Sequence, residues 1–258
     1  MNEVTIVCCY NNEKVYNDFV NTLKSQTLGY DLIGIDNRGN NRFTSCAGAY
    51  NSVINDVKTK YVIYSHQDIL LTEPDMLQRF ISDLECITQN DILGVAGMRF
   101  EERECFSNIR HMDRVTGKIM YPAVNALKNG MIECDTFDEC FFGGYTEHFR
   151  EYPFDEVVCD NWHLYAVEAC LNAKINKGHV YVSDISIIHL SYGYVNFTFV
   201  CGFCRLCRKY AKNFPFIRTT CTYSKTDNFY LCLYVLRYCL WTKHHRALRE
   251  FAKRIICR

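Results

Sequence analysis

The first 70 residues alternate between two patterns of apolar positions. Short apolar runs rich in β-branched and aromatic residues, at 4–10, 31–36 and 61–64, predict buried β-strands. Between these runs, residues 13–25 and 45–57 have the spacing of helices. The order β, α, β, α, β predicts right-handed crossovers and therefore a parallel sheet.

The pattern continues beyond this first unit. It predicts an amphipathic helix at 77–88, a buried strand at 92–97, a polar surface excursion at 101–129, and strands at 180–182 and 185–188. Another helix is expected to start at Trp162, with Asp160 or Asn161 as its N-cap, and to end at residues 177–178. Its apolar face consists of Leu164, Val167, Cys170 and Leu171.

Charge is distributed unevenly along the 258 residues, although the net charge is zero. Residues 201–258 contain 13 Lys and Arg against 2 Asp and Glu, a net charge of +11, and residues 1–200 therefore carry −11. This asymmetry favours two parts, an acidic domain at 1–194 and a helical, basic and aromatic C-terminal extension at 195–258. The longest apolar stretch of the extension has about a dozen residues, short of the ~20 that cross a bilayer. The extension is expected either to lie on an anionic membrane surface or to cap the sheet.

The 16 cysteines would suit a disulfide-rich secreted protein if the chain were small. Met1 leads directly into a strand without a basic or cleavable leader, and many cysteines lie inside apolar runs. We therefore expect a reducing cytoplasm and free thiols. Cys201, Cys204 and Cys207 are spaced by two residues each, but no second Cys or His pair completes a zinc site.

Polar residues follow each predicted parallel strand at its carboxyl end. They are Tyr10-Asn11, Asp36-Asn37, and His66 with Asp68. Ligands of open α/β sheets bind at this rim, and a carboxylate beside an imidazole can hold a divalent cation and, through it, a phosphate. Asp68 could instead only cap the next element. No glycine-rich phosphate loop is present, which disfavours dinucleotide enzymes and ATPases.

An ordered set of motifs resembles the family-2-type glycosyltransferases, which have the nucleotide-diphospho-sugar-binding GT-A fold. The resemblance is closer to a bacterial branch that carries His-Gln-Asp where most relatives carry Asp-x-Asp, and it covers residues 3–192. The motifs are Tyr10-Asn11, Asp36-Asn37, Ala49-Tyr50-Asn51, His66-Gln67-Asp68, Gly143-Gly144, Trp162-His163-Leu164-Tyr165 and His189. The resemblance implies an α/β protein with a mostly parallel central sheet flanked by helices.

The same resemblance implies roles for individual residues. The nucleotide of the donor is expected to contact Tyr10, Asn11, Asp36, Asn37, Asn51 and His66. Mn²⁺ or Mg²⁺ is expected on Asp68 and His189, next to the diphosphate. The acceptor is expected near Asp138, Gly143, Gly144 and Trp162. The carboxylates around residues 133–139 could equally belong to a solvated strand edge.

The implied reaction is an inverting displacement at the anomeric carbon, with a general base that deprotonates the acceptor hydroxyl. In many relatives the base is an acidic residue at the position of Ala166, which cannot act as one. Three residues nearby could replace it: Asp160, His163 and Glu168. We favour Asp160 or His163, because both lie at the loop end of the predicted helix.

The leading hypothesis is therefore a cytoplasmic glycosyltransferase in surface polysaccharide or glycolipid synthesis, whose basic extension contacts the inner face of the membrane. The partners would be a nucleotide-diphospho-sugar and a saccharide or lipid-linked acceptor. A nucleotidyltransferase would need a glycine-rich basic loop after Tyr10, which is missing. A nucleotide-sugar-binding protein with a degenerate site is the alternative. Nucleic acid is not expected, because the acidic residues 1–200 would repel a polyanion.

Overall fold

The computed structural model describes residues 2–121, 124–128, 130–191 and 195–241. The strands are β1 (Val4–Tyr10), β2 (Asp31–Asp36), β3 (Tyr61–Ser65), β4 (Ile69–Leu71), β5 (Ile92–Gly94), β6 (Ala96–Met98), β7 (Cys105–Ser107), β8 (Arg110–Met112), β9 (Ile119–Tyr121), β10 (Ile132–Cys134), β11 (Thr136–Phe137), β12 (Phe141–Tyr145), β13 (Val180–Val182), β14 (Ile187–His189), β15 (Phe216–Arg218) and β16 (Tyr223–Lys225). The helices are α1 (Glu13–Leu23), α2 (Cys46–Asn51), α3 (Met76–Glu85), α4 (Thr146–Glu151), α5 (Tyr165–Ile175), α6 (Phe197–Tyr210) and α7 (Asn228–Trp241).

A seven-stranded sheet in the order β10-β13-β5-β12-β3-β1-β2 forms the centre. Five of these strands run in one direction, and β10 and β12 run against them. The expected mostly parallel sheet is thus confirmed. Tyr10 pairs with Asp36 and Cys8 pairs with Ser65, so β1, β2 and β3 all end at the same rim.

Alternate side chains of the central strands enter two different apolar clusters. Ile6 and Ile63 pack with Phe19 of α1 and Phe80 of α3 on one face. Val7 and Val62 belong to the cluster on the other face, which also contains residues of α2, α5 and α6. Because both faces are covered, the strands are apolar throughout, and this made them recognisable in the sequence.

The antiparallel β12 lies between β3 and β5, where its neighbours approach closely. A Cβ atom on Gly143 would lie 2.2 Å from the carbonyl oxygen of Val62, and one on Gly144 would lie 3.2 Å from that of Asp91. Both glycines are buried inside the sheet. The expectation that Gly143 and Gly144 contact the acceptor is therefore wrong, because these residues allow close strand packing instead.

The polar excursion at 101–129 is more regular than its composition indicated. It contributes β7 to a three-stranded sheet, and β8 and β9 to a four-stranded sheet in the order β4-β14-β8-β9. Strand β14 pairs with β4 on one side and β8 on the other. This second sheet places His189, the last residue of β14, opposite Ile69.

Helix α5 begins at Tyr165, three residues later than expected. Its cap position is Leu164, which has a left-handed backbone with φ of 72° and no capping bond from its own side chain. The predicted N-cap at Asp160 or Asn161 is therefore wrong. The helix is also buried on nearly all sides rather than amphipathic, since α6 covers the face that the sheet leaves open.

The segment from residue 195 packs on the rest of the chain. Phe199, Phe203 and Leu206 of α6 belong to the same apolar cluster as α5 and the central strands. Cys204 and Cys207 are buried free thiols on this helix. None of the helices within the described ranges is long and apolar enough to cross a membrane. Residues 242–258 of the expected extension lie outside the described residues.

Candidate active site

A cavity of about 450 Å³ opens at the carboxyl-terminal rim of the central sheet. Most of its lining residues lie just after β1, β2 and β3, just before β12, in the loop before α5, and at the end of β14. The cavity therefore lies where the topology of an open α/β sheet places a ligand. Of the predicted site residues, it contains Tyr10, Asn11, Asn37, His66, Asp68, Asp138, Trp162, His163 and His189.

His66, Asp68 and His189 form a group that can hold a metal ion. One ligand atom from each lies within 4.8 Å of the others. Asp68 Oδ1 is 3.4 Å from His189 Nε2 and 4.0 Å from His66 Nδ1. Two imidazole nitrogens and one carboxylate oxygen are a suitable set of ligands for a divalent transition metal.

The protonation states of Asp68 and His66 suit metal binding, while Asp68 raises the pKa of His189 against the effect of burial. Burial alone would raise the pKa of Asp68, but the hydrogen bonds from His189 and Ser191 and the nearby imidazoles outweigh it and hold that pKa well below its usual range. Burial lowers the pKa of His66, although Asp68 partly opposes this shift. The carboxylate is therefore ionised, and the His66 ring is neutral with one nitrogen lone pair.

A hydrogen-bonded chain determines which nitrogen of His66 carries that lone pair. The hydroxyl of Tyr165 donates to the backbone carbonyl of Glu139 at 3.2 Å, and it lies 2.9 Å from His66 Nε2. A phenol has one proton and a carbonyl can only accept, so His66 Nε2–H must be the donor to Tyr165. The lone pair is then on His66 Nδ1, the nitrogen nearest to Asp68.

Gln67, the middle residue of the His-Gln-Asp motif, connects the ends of β3 and β1. Its side-chain oxygen accepts hydrogen bonds from the backbone N–H groups of Asn11 and Asn12, at 3.2 and 3.0 Å, and its amide donates to Asn11 Oδ1 at 2.7 Å. Tyr10 stacks on Tyr16 with ring centroids 4.1 Å apart. The wall on this side is thus fixed before any ligand binds.

Glu139 organises the loop that precedes α5. Its Oε2 accepts a hydrogen bond from the backbone N–H of Leu164 at 2.7 Å, and its Oε1 lies 3.3 Å from His163 Nδ1. Leu164 has the left-handed backbone that residues other than glycine rarely adopt, and the Glu139 contact stabilises it. Glu139 and His163 are arranged as a carboxylate that orients an imidazole through its Nδ1–H. This leaves His163 Nε2 as the nitrogen with the free lone pair.

Asp138 lies beside this pair in the cavity. Its Oδ1 accepts from the backbone N–H of Cys140 at 3.0 Å, and its Oδ2 accepts from the Thr220 hydroxyl at 3.2 Å. Thr220 lies in the turn between β15 and β16, so the C-terminal segment reaches the cavity directly. A carboxylate held in this way can accept a further hydrogen bond from a ligand hydroxyl.

Two predicted catalytic residues lie away from the cavity. Asp160 is exposed and paired with Arg205 of α6. Glu168 is buried inside the protein, where the Tyr210 hydroxyl donates to its Oε1 at 2.7 Å and Lys209 Nζ lies 2.6 Å away. Neither lines the cavity. Both were placed by a helix start that was three residues too early, so their expected role as base does not fit their positions.

Three predicted donor residues have other contacts. Asp36 is outside the cavity and pairs with Arg38. Asn51 is also outside it and bonds to the backbone of Phe154 at 3.0 and 2.8 Å. Asn37 lines the cavity, but its side chain is hydrogen-bonded to the loop backbone at residues 42–43. We therefore regard Asp36 and Asn51 as residues that fix loops rather than contact the nucleotide.

Gln67, Glu139, Tyr165 and Ser191 are among the cavity residues that were not predicted as site residues. Each of these four lies within two positions of a residue that was predicted, and Glu139 belongs to a pair of carboxylates before an apolar strand. Ala166, the position to which the family resemblance assigned the base, is fully buried in α5 and lies outside the cavity. The identity of that residue therefore does not decide whether a base is present.

The fold and the rim cavity together define the class of the protein, an α/β protein of the GT-A fold. Residues 5–196 match the family described as "Glycosyltransferase like family", and the chain belongs to this family. No curated protein matches the chain.

Several solved structures are similar in fold. Residues 1–349 of S. aureus TarS are 14% identical with a TM-score of 0.54, and the match covers 82% of this chain and 65% of that one. GalNAc-T7 with UDP, GalNAc and Mn²⁺ is 9% identical with a TM-score of 0.56, covering 81% and 50%. Mannosyltransferase PcManGT from Pyrobaculum calidifontis, with GDP-Man and Mn²⁺, is 10% identical with a TM-score of 0.51, covering 81% and 62%. The chain thus spans less than two thirds of these proteins, and the similarity establishes the GT-A fold alone.

Proposed function

We propose that the protein is a metal-dependent, inverting glycosyltransferase that transfers a sugar from a nucleotide-diphospho-sugar to a saccharide or glycolipid acceptor. The observation that carries this proposal is the group of His66, Asp68 and His189 in the same cavity as Tyr10 and Asn11. Nucleoside and diphosphate would then occupy adjacent parts of one cavity. Family membership and the nucleotide-sugar complexes of proteins with the same fold support the same activity.

The residues present fit a metal ion. Asp68 Oδ1, His189 Nε2 and His66 Nδ1 would hold it, and the low pKa of Asp68 keeps the carboxylate ionised. Mg²⁺ prefers an environment of oxygen ligands, so the two imidazoles favour Mn²⁺. When bound, the cation would neutralise charge on the diphosphate leaving group.

The remaining cavity residues have roles in the displacement. The acceptor oxygen forms a bond to the anomeric carbon while the bond from that carbon to the diphosphate oxygen breaks, with inversion. His163 Nε2 takes the proton of the acceptor hydroxyl, and Glu139 orients His163 through Nδ1. Asp138 accepts a hydrogen bond from the acceptor sugar, and Trp162 offers an aromatic wall of the cavity beside it. Tyr10 and Asn11 contact the nucleoside.

Localisation and pathway belong to the proposal as well. The net charge of +11 over residues 201–258 suits contact with an anionic membrane surface. We therefore place the enzyme in the cytoplasm, at the inner face of the membrane, in surface polysaccharide synthesis. Binding of nucleotide-sugar without turnover is the alternative. The main argument for that alternative was that Ala166 cannot act as a base. Because Ala166 is buried outside the cavity, this argument does not apply to the cavity residues.

The test is the release of nucleoside diphosphate from a panel of UDP-, GDP- and TDP-sugars, with Mn²⁺ and with EDTA. Slow hydrolysis of one donor that EDTA abolishes and Asp68→Ala removes is the expected result. Asp18→Asn, on the exposed side of α1, is the control for a lost carboxylate. A donor that raises the melting temperature but is never hydrolysed would favour the binding-protein alternative, and no effect of any donor would refute both.

A further inference from the structure

A second cavity of about 640 Å³ lies between the segment after β6, the β15–β16 hairpin and α7. Four basic residues line it, Arg103, Arg218, Lys225 and Arg237, against one acidic residue, Glu101. Within the described ranges, none of the four has an ion-pair partner among the salt bridges. A concave surface with this charge is suited to an anion.

Arg218 is the strongest sign that a ligand completes this cavity. Its Nε is shielded from solvent and has no hydrogen-bond partner among the described residues. A buried, unpaired donor is unfavourable, and more so when it is charged. An acceptor oxygen from a carboxylate or phosphate would remove that cost, and guanidinium groups pair well with both.

The apolar part of the same cavity is aromatic. Arg218 lies over the ring of Tyr223 at 4.6 Å, and Lys225 lies over the ring of Tyr230 at 4.4 Å. Phe216 and Phe100 pack together with ring centroids 5.6 Å apart. Aromatic rings offer flat apolar surface that suits the C–H face of a pyranose, and the two tyrosines add hydroxyl groups for its polar rim.

The hairpin connects this cavity to the catalytic one. Arg218 and Tyr223, which line the second cavity, flank the turn whose Thr220 hydroxyl donates to Asp138. Cys221 in that turn lines the catalytic cavity. Two residues of extended chain span at most about 7 Å, so the cavities are separated by little more than a sugar unit along the hairpin.

We propose that the second cavity is an acceptor subsite for a saccharide chain that carries carboxylate or phosphate groups. A charged unit of the chain would bind Arg218 and Arg237, and a neighbouring unit would reach Asp138. This inference rests on the proposed glycosyltransferase function and specifies the class of its acceptor. Residues 243–258 do not suit the cavity, because they contain six Lys and Arg against one Glu.

The test measures binding of three hexasaccharides to the full chain by calorimetry: hexagalacturonate, maltohexaose 1-phosphate and neutral maltohexaose. We expect the anionic chains to bind, the neutral one to bind more weakly, and salt to weaken only the anionic ones. Arg218→Gln with Arg237→Gln should weaken anionic binding by roughly tenfold or more, since two charge-assisted hydrogen bonds are lost. Arg218→Lys should retain part of it, and Arg114→Gln, an exposed arginine outside both cavities, should have no effect.

Donor hydrolysis in the absence of acceptor separates this inference from the function on which it rests. The Arg218 and Arg237 variants should hydrolyse donor at the unaltered rate, and a melting temperature no lower than that of the unaltered chain would show that they fold. Equal binding of neutral and anionic chains, or no saccharide binding at all, would overturn the inference. The inference would also be overturned if these variants lost binding to phosphatidylglycerol vesicles or to single-stranded RNA but still bound the saccharides. Absence of donor hydrolysis in the unaltered chain would instead refute the function.

Discussion

Glu139→Gln tests the assignment of His163 as the base. The glutamine oxygen can still accept from the Leu164 N–H, as Glu139 Oε2 does at 2.7 Å. Its amide N–H₂ would then face His163 Nδ1, which is 3.3 Å from the carboxylate. The amide is a donor, so Nδ1 must become the acceptor and the proton moves to Nε2. The ring is retained, but the nitrogen that faces substrate is no longer basic.

The expected loss follows from the role of a general base. Positioned acid–base groups contribute about 10²–10⁴-fold to rate, and this corresponds to about 3–5 kcal/mol in the activation free energy. The unfolding free energy should change by less than about 1 kcal/mol, because the hydrogen bond to Leu164 is kept. Glu139→Ala removes that bond as well, and it should in addition destabilise the fold by about 1–3 kcal/mol.

The assay is release of nucleoside diphosphate, with kcat and KM determined separately and the melting temperature as a control for folding. His163→Ala should lower kcat by a similar factor, and the double variant should be no slower than either single variant, because the two residues act as a unit. Glu147→Gln, on the exposed side of α4, is the matched control. Additive losses would mean that Glu139 acts without His163. A Glu139→Gln variant with kcat within threefold of the unaltered protein would refute the assignment.

Three further predictions concern the metal, the core and pH. Asp68→Asn should weaken Mn²⁺ binding by at least about 10²-fold, because losing a metal ligand lowers metal affinity at least as much as losing its hydrogen-bond partner. The rise of the melting temperature on addition of Mn²⁺ measures this affinity. A rise equal to that of the unaltered protein would contradict the metal site. Glu168→Gln removes the buried one of the two acidic partners of Lys209, which keeps Asp155. It should lower the unfolding free energy by about 1–3 kcal/mol with kcat within threefold, as denaturant titration and kinetics would show. A large loss of kcat in a stable variant would restore its catalytic role. Burial lowers the pKa of His148 from 6.5 to about 4. Between pH 6.5 and pH 4 the unfolded chain therefore binds a proton at His148 that the folded chain does not bind. The unfolding free energy should fall by about 3 kcal/mol in total as pH decreases through this range. His148→Phe should flatten the curve of melting temperature against pH.

Much of the fold could be predicted because its central strands are buried on both faces. The strand at residues 4–10 has the predicted bounds. The strand at 31–36 also has them, although it is the edge strand and only Ile35 in it is buried. The predicted helix at 45–57 ends at Asn51, and a separate helical turn follows at Ile54–Asp56. The antiparallel direction of β12 could not be predicted, because strand direction depends on contacts between residues far apart in sequence.

The candidate site was predictable only where strand ends carry polar residues. His66 and Asp68 follow a recognisable strand, and the family resemblance supplied His189, which is 121 positions from Asp68. The loop before α5 was different. Its path depends on a left-handed Leu164, which an apolar pattern does not signal, and the predicted helix therefore began too early. A helix that starts at Trp162 would place Asp160 and Glu168 near the rim, whereas the observed start at Tyr165 places Glu139 there instead.

The folded structure brings part of the basic C-terminal segment into contact with acidic residues of the first 194. Arg205 and Lys209 pair with acidic residues of the first 194, namely Asp160, Asp155 and Glu168. These contacts join the basic segment to the acidic one, so part of the +11 is compensated within the fold. Arg218, Lys225 and Arg237 instead face the second cavity. The basic extension was expected either to lie on an anionic membrane surface or to cap the sheet. In its described part, one set of cations holds α6 against the first 194 residues. Another set lines the second cavity, where an anionic acceptor would be recognised.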